Sequence, residues 1–191
     1  MEDLLARFAP DWRMLSRTPL RRHLSEVRSI FRDQEAVDRI LREEGDRLIY
    51  EVHAGEVPEA EGHVAYCTTI IYPGTVGEEF HMTRGHFHSK RGTGEVYLGL
   101  RGRGLLLLRR EEGPYKVLEF GEGIVAHVPP FWGHRAVNTG KEPLVFFAAW
   151  PADAGHDYAL AEELGFGVFV LCSSEGYRLV ESPSSLGNGG A

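Results

Sequence analysis

Between residues 33 and 45 the apolar positions Val37, Ile40 and Leu41 recur at the spacing of one helical face, and Glu44 continues the period. Asp33 supplies an N-cap oxygen ahead of them and Gly45 a stop, so the pattern predicts a helix here. From Arg47 onward the rhythm is that of strands. Runs rich in β-branched and aromatic residues predict them at Leu48–Val52, His63–Tyr72, Gly85–His88, Glu95–Leu100, Gly104–Arg109, Tyr115–Phe120, Ile124–Val128, His134–Asn138 and Leu144–Trp150. Gly, Pro and Asn punctuate these runs, as at Pro73-Gly74. A short helix at Tyr158–Leu164, ended by Gly165, and a hairpin from Phe166–Leu171 and Tyr177–Val180 complete the pattern. Many short strands with tight turns and few helices specify an all-β jelly-roll barrel or sandwich.

Three regions follow. Residues 1–46 form an arm and helix expected to pack on the barrel or on a second subunit. In the arm, Leu4, Leu5 and Phe8 have helical spacing, interrupted by Pro10, Pro19 and Arg21-Arg22. The barrel domain covers 47–181. Residues 182–191, Ser-Pro-Ser-Ser-Leu-Gly-Asn-Gly-Gly-Ala, have almost nothing to bury and are expected to be disordered.

Composition narrows the function classes. With 42% hydrophobic and 26% charged residues the chain reads as an ordinary soluble domain. A formal charge of −7 makes nucleic acid and anionic membranes poor partners, so any bound phosphate must be held by local donors against the global field. Cys67 and Cys172 lie in apolar runs and read as buried free thiols in a reducing compartment. Met1-Glu2-Asp3 opens no signal peptide, and the longest uncharged apolar run, Leu144–Trp150, is too short to span a bilayer. A cytoplasmic protein is expected.

The chemistry centres on Thr83-Arg84-Gly85-His86-Phe87-His88. Histidines at i and i+2 on an extended segment share a face. Glu95 follows a turn-forming stretch, Ser89–Gly94, that can fold the next strand back alongside, and distant His134 can complete the set. Three imidazoles and a carboxylate suit a divalent first-row metal. Tyr97 shares the strand face of Glu95 and should line the same cavity. Gly99-Leu-Arg-Gly102-Arg-Gly104 is not a nucleotide loop, because Leu105–Leu108 after it read as strand, and it is expected to be a hairpin turn.

The spacing of Gly123, Pro129, His134 and Asn138 resembles the second signature motif of the cupin superfamily, with Phe131 where many cupins carry glycine. His86-x-His88, Glu95 and Gly102 resemble the first, except that the glutamate comes later than in most cupins. That late glutamate, with Thr68–Gly74, Thr83–His88, Glu95–Tyr97, Pro129–Asn138 and Trp150–Tyr158 in this order, resembles the cupin-type glucose-6-phosphate isomerases over roughly residues 47–172. The resemblance implies His86, His88, Glu95 and His134 as ligands of one divalent metal per subunit, Fe2+ first and Ni2+, Mn2+ or Zn2+ as alternatives. It implies Thr69, Thr83, the Gly85 backbone and Tyr158 as holders of the substrate phosphate. Thr69 read alone is equally a β-branched strand residue, and Tyr158 a packing residue at a helix start. Trp150 stands where that family often has tyrosine; an indole donates a hydrogen bond but neither accepts nor ionises.

The implied activity is interconversion of glucose 6-phosphate and fructose 6-phosphate in glycolysis and gluconeogenesis, by a homodimer. An enediol route would use Glu95 as base with Tyr97 beside it, and His156 in ring opening or proton transfer; His156 could instead orient a loop through Asp157. A hydride shift needs no protein base. The same ligands would also serve a mannose-phosphate or free-sugar isomerase, a dioxygenase, or a non-catalytic sugar-binding cupin.

Overall fold

In a computed structural model, which describes residues 5–15 and 18–182, the alternating runs become antiparallel strands in three sheets. A six-stranded sheet runs in the order β1 (Leu20–His23), β2 (Leu48–Ala54), β3 (Val64–Ile71), β11 (Leu144–Pro151), β6 (Glu95–Arg101) and β9 (Val125–Val128). A three-stranded sheet runs β10 (Trp132–Asn138), β7 (Arg103–Arg110), β8 (Tyr115–Gly121). The third runs β13 (Gly176–Glu181), β12 (Val168–Ser173), β5 (Glu79–Phe80), β4 (Thr75–Val76). The first two sheets meet face to face, where Tyr97 and Phe146 on one touch Phe120 on the other. The all-β, cupin-like class therefore holds, although no ladder joins the sheets into a closed barrel among the described residues. Leu105 to Leu108 in β7 are all buried, so both faces of that strand are covered.

The predicted helix is α2 (Gln34–Glu43), which follows the short α1 (Leu24–Val27). Asp33 caps α2 by accepting from Ala36 N–H at 2.9 Å. Gly45, at a φ of +92°, closes it with a hydrogen bond to Ile40 O. Val37 and Ile40 are buried. The second predicted helix, α3 (Tyr158–Leu164), is capped by Asp157. None of these helices is long and apolar enough to cross a membrane.

Several expectations need correction. Gly85–His88 is not a full strand: only His86 and Phe87 make isolated bridges, because Gly85 turns the chain at a φ of +74°. The arm is not helical at Leu5 and Phe8, which are exposed, and Leu4 lies outside the described residues. Its second half instead supplies β1, with Arg21-Arg22 inside it, paired to β2. Arg13 reaches the buried Glu51 at 2.9 Å, and Met14 N–H donates to Thr68 Oγ1 at 3.0 Å, so the arm packs on the sheet. Cys67 is buried, but Cys172 is exposed, facing outward next to the buried Leu171. The expected disordered tail falls outside the described residues except for Ser182, whose N–H donates to Gly167 O. Gly102 forms the β6–β7 turn, as expected of that glycine-rich stretch.

Two features carry predictions. A Cβ on Gly99 would lie 1.8 Å from Gly121 O, where β6 runs against the end of β8, whereas one on Gly92 would meet nothing within 4 Å. Gly99→Ala is expected to destabilise the fold by about 1–3 kcal/mol while Gly92→Ala is neutral, read as midpoints of thermal or urea unfolding. The second concerns His81. Its Nδ1 lies 3.1 Å from Tyr72 O, an acceptor only, so Nδ1 holds the proton and the buried Nε2 has no partner. Burial lowers the pKa of His81 from 6.5 to about 4, against the hydrogen bond to Tyr72. As pH falls through this window the unfolded chain takes up the proton first, so stability is lost from about pH 6.5 down to about 4, by roughly 3 kcal/mol. His81→Gln should flatten that acid limb in unfolding measured across pH; an unchanged slope would assign the limb to other groups.

Candidate metal centre

The site starts from the backbone. His86 N–H donates to His134 O at 3.1 Å, and His134 N–H returns the bond to His86 O at 3.0 Å. Residues paired directly in this way project their side chains to one face, and the two imidazole centroids lie 4.3 Å apart. His88 follows on the same face while Phe87 between them is fully buried. A Cβ on Gly85 would meet the Phe166 ring at 2.7 Å and His134 O at 2.9 Å, so space and backbone both demand glycine beside the first histidine. Gly133 lies flat against Phe87, leaving no room for a Cβ. Phe131, where the cupin motif often has glycine, takes the left-handed backbone at a φ of +69° and donates its N–H to Arg91 O. The turn over Ser89–Gly94, closed by Thr93 N–H on Lys90 O at 3.0 Å, returns the chain so that β6 opens with Glu95 beside His88.

The four predicted ligands come together. One donor atom from each of His86, His88, Glu95 and His134 lies within 4.8 Å of the others. Glu95 Oε2 is 3.2 Å from His88 Nε2 and 3.0 Å from His134 Nε2. The second approach is close but misdirected, because His134 Nε2 has no properly oriented hydrogen-bond partner; nor has His134 Nδ1 or His86 Nε2, all of them buried. Buried polar atoms are normally satisfied. Three bare nitrogens beside a carboxylate are therefore a place for a cation. His88 is fixed from behind. Thr93 O accepts from its Nδ1 at 3.2 Å, and Thr93 Oγ1, whose own proton goes to Lys90 O, lies 2.8 Å from the same nitrogen. Nδ1 thus carries the hydrogen, and Nε2 keeps a lone pair towards the centre.

Electrostatics agree with that use. Burial, and then His134, His156 and His88, lower the pKa of His86 well below the usual value, leaving it neutral. Burial opposes ionisation of Glu95, but the imidazoles of His134 and His88 against its Oε2 outweigh it and lower the pKa to about 2. Metal binding needs this pairing of deprotonated imidazole and ionised carboxylate. Three nitrogens and one oxygen can hold one divalent first-row ion.

The other predicted residues distribute around the four. His156 lies 4.4 Å from His86, centroid to centroid, and stacks on Tyr158 at 5.7 Å with an interplanar angle of 7°. His156 is open to solvent on one side, yet the burial of the rest of its ring lowers its pKa. Trp150 meets it edge-on at 6.0 Å. Tyr97 is buried, 5.6 Å from His134 and stacked on Phe146 at 4.8 Å. Burial first, then Glu95, raise its pKa well above 10, so the phenol keeps its proton. Thr83 accepts Ala136 N–H at 3.1 Å, leaving its hydroxyl hydrogen to donate elsewhere. Thr69 sits farther along the inner face, opposite Phe146, its hydroxyl 3.8 Å from Cys67 Sγ.

Sequence reasoning missed the supports. Thr93, within the turn, was visible only as a hydroxyl between two ligands. Arg91 donates to His88 O and, at 2.7 Å, to Asp157 Oδ2, tying the ligand segment to the start of α3. Phe87 and Asp157 exchange backbone hydrogen bonds at 3.2 and 2.7 Å across the same seam.

Comparison with known proteins supplies the remaining step. The family model described as "Glucose-6-phosphate isomerase (GPI)" matches residues 21–181. The glucose-6-phosphate isomerase of Thermococcus kodakarensis is 45% identical over 162 residues, 85% of either chain. That of Thermococcus litoralis is 47% identical over 150 residues, 78% of either chain. Among solved structures, the oxalate decarboxylase of Lactobacillus farciminis aligns with 57% of this chain and 30% of its own, at a TM-score of 0.46 and 20% identity. The late glutamate and the paired histidines thus sit within a match that runs almost from β1 to the end of β13, and the chain belongs to the glucose-6-phosphate isomerase (GPI) family.

Proposed function

We propose that this chain is a metal-dependent aldose–ketose isomerase that interconverts glucose 6-phosphate and fructose 6-phosphate. The family match over residues 21–181 carries that reading, and the convergence of His86, His88, Glu95 and His134 supports its metal dependence. A divalent cation held by these four would act as a Lewis acid on the oxygens at C1 and C2 of the open-chain sugar. Fe2+ is the first choice of ion, with Ni2+, Mn2+ and Zn2+ as alternatives. A cytoplasmic homodimer working in glycolysis and gluconeogenesis completes the reading; the exposed Phe8, Trp12, Val64, Val96 and Val125 offer apolar surface for a second copy.

Glu95 moves the proton. Both histidine approaches fall on its Oε2, which leaves Oε1 to take the hydrogen from C2 and return it to C1 through an enediol. Tyr97, held protonated, donates a hydrogen bond to the developing enediolate from the same strand face. His156, neutral and open to solvent at the rim, carries the proton between ring and carbonyl oxygens as the sugar opens. Thr69, Thr83, Gly85 N–H and Tyr158 hold the phosphate. The Arg84 guanidinium lies 4.8 Å above the Tyr158 ring but is paired with Glu162, so in a protein of net charge −7 these neutral donors carry the phosphate.

Two measurements test this. Chelation should abolish activity in a coupled glucose-6-phosphate/fructose-6-phosphate assay, and Fe2+ should restore it; metal-loaded protein inactive towards both sugars would overturn the assignment. Turnover in D2O should place solvent deuterium at C2, and Glu95→Gln should lower kcat by on the order of 10²–10⁴ with that exchange lost. Turnover by wild type without any deuterium incorporation would point to the hydride shift.

A further inference from the structure

Next to the candidate ligand His134, and on the opposite face of β10, lies Arg135, an arginine only 8% exposed. Buried cations are usually matched with a carboxylate. This one has Glu79 and Glu162 acting on it through charge but makes its hydrogen bonds to the main chain: Nη2 and Nε donate to Arg84 O at 2.7 and 3.3 Å. That carbonyl belongs to the residue between Thr83 and Gly85. The guanidinium also lies 4.5 Å over the Phe166 ring. The same ring fills the space that a Cβ on Gly85 would need, at 2.7 Å. Thr83, in turn, is tied to the residue after Arg135: its N–H donates to Ala136 O at 2.9 Å, and its Oγ1 accepts from Ala136 N–H.

These contacts share one target. A left-handed glycine with no Cβ is the softest point of a loop, and here that point adjoins a metal-ligand candidate and two donors read as phosphate-binding. Without a brace, the Arg84–Gly85 peptide could rotate and swing the Gly85 N–H away. Arg135 holds the carbonyl of that peptide from behind, and Phe166 blocks it from one side. We propose that Arg135 is a positioning residue for the phosphate end of the site, acting through the Thr83–Gly85 turn with Phe166 as its platform. The inference rests on the phosphate reading of Thr83 and Gly85. Arg135 touches no substrate in this role; it fixes donors in advance, and such preorganisation determines how tightly a small anion is held. The planar fork matters because two nitrogens share one carbonyl, an arrangement a lysine ammonium does not reproduce.

The test uses metal-loaded, full-length protein. Arg135→Lys keeps the charge and loses the fork; Phe166→Leu keeps apolar volume and loses the flat platform. For both, the KM for fructose 6-phosphate and the inhibition constant for inorganic phosphate are expected to rise together, about tenfold. kcat and bound metal should stay within twofold of wild type. Unchanged KM and phosphate inhibition in folded Arg135→Lys would overturn the proposal. So would a parallel loss of kcat, metal content and thermal midpoint, which marks a merely structural arginine; should Arg135→Lys fail to fold, Phe166→Leu decides by the same criteria. Thr83→Val separates the two readings. If it raises both constants while the Arg135 and Phe166 variants do not, the positioning role fails alone. If it changes neither, the phosphate reading of this turn fails with it.

Discussion

Two reciprocal hydrogen bonds between the backbones of His86 and His134 set the terms for the rest of the molecule. With the Met82–Val137 bridge and the Thr83–Ala136 hydrogen bond they join the 81–88 segment to β10, and at the His86–His134 pair two imidazoles come within 4.3 Å. The rings of Phe166 and Phe87 pack against the residues just before these two histidines, so Gly85 and Gly133 follow as necessities. Glu95 must then come from the facing sheet, because β10 and the 81–88 segment already occupy one wall. The late position of the glutamate, after a six-residue turn, is the length of chain needed to cross from one wall to the other.

Such a site is costly to the fold. Three imidazoles and a carboxylate in a dry interior oppose the burial that leucines such as Leu105–Leu108 contribute, each worth about 1.5–3 kcal/mol. The structure limits the cost by mutual compensation. Glu95 gains from His134 and His88 what it loses to burial. His88 is satisfied on its far side by Thr93. His86 and His134 retain bare nitrogens, and these are the atoms with chemistry left to do.

How much of this was legible in the residues depends on what each contact recognises. The helix at α2 and most strands were readable, because cap, period and turn chemistry are local. The four candidate ligands were readable because metal binding requires particular residue types at workable spacings. β1 was not, since Leu20–His23 is mostly polar and is a strand only because β2 offers it an edge. β4 and β5, two residues each, are too short to show a period. Thr93, Arg91 and Arg135 escaped for a related reason. All three act on backbone carbonyls brought near by the fold, and every residue has a carbonyl. Cys172 was misread because an apolar run does not reveal which of its alternating positions faces out.

Cys67 gives the interior a property that the ligand set alone does not. It sits on β3 in register with Ala148, which pairs on its other side with Tyr97. Burial above all, then the nearby Glu95, raise its thiol to about 12. Peroxides and disulfides react with thiolates, and this sulfur is held as the thiol. A buried sulfur on this wall is thereby held in its unreactive form. The wall of the cavity is made chemically quiet by the same desolvation that keeps His86 uncharged.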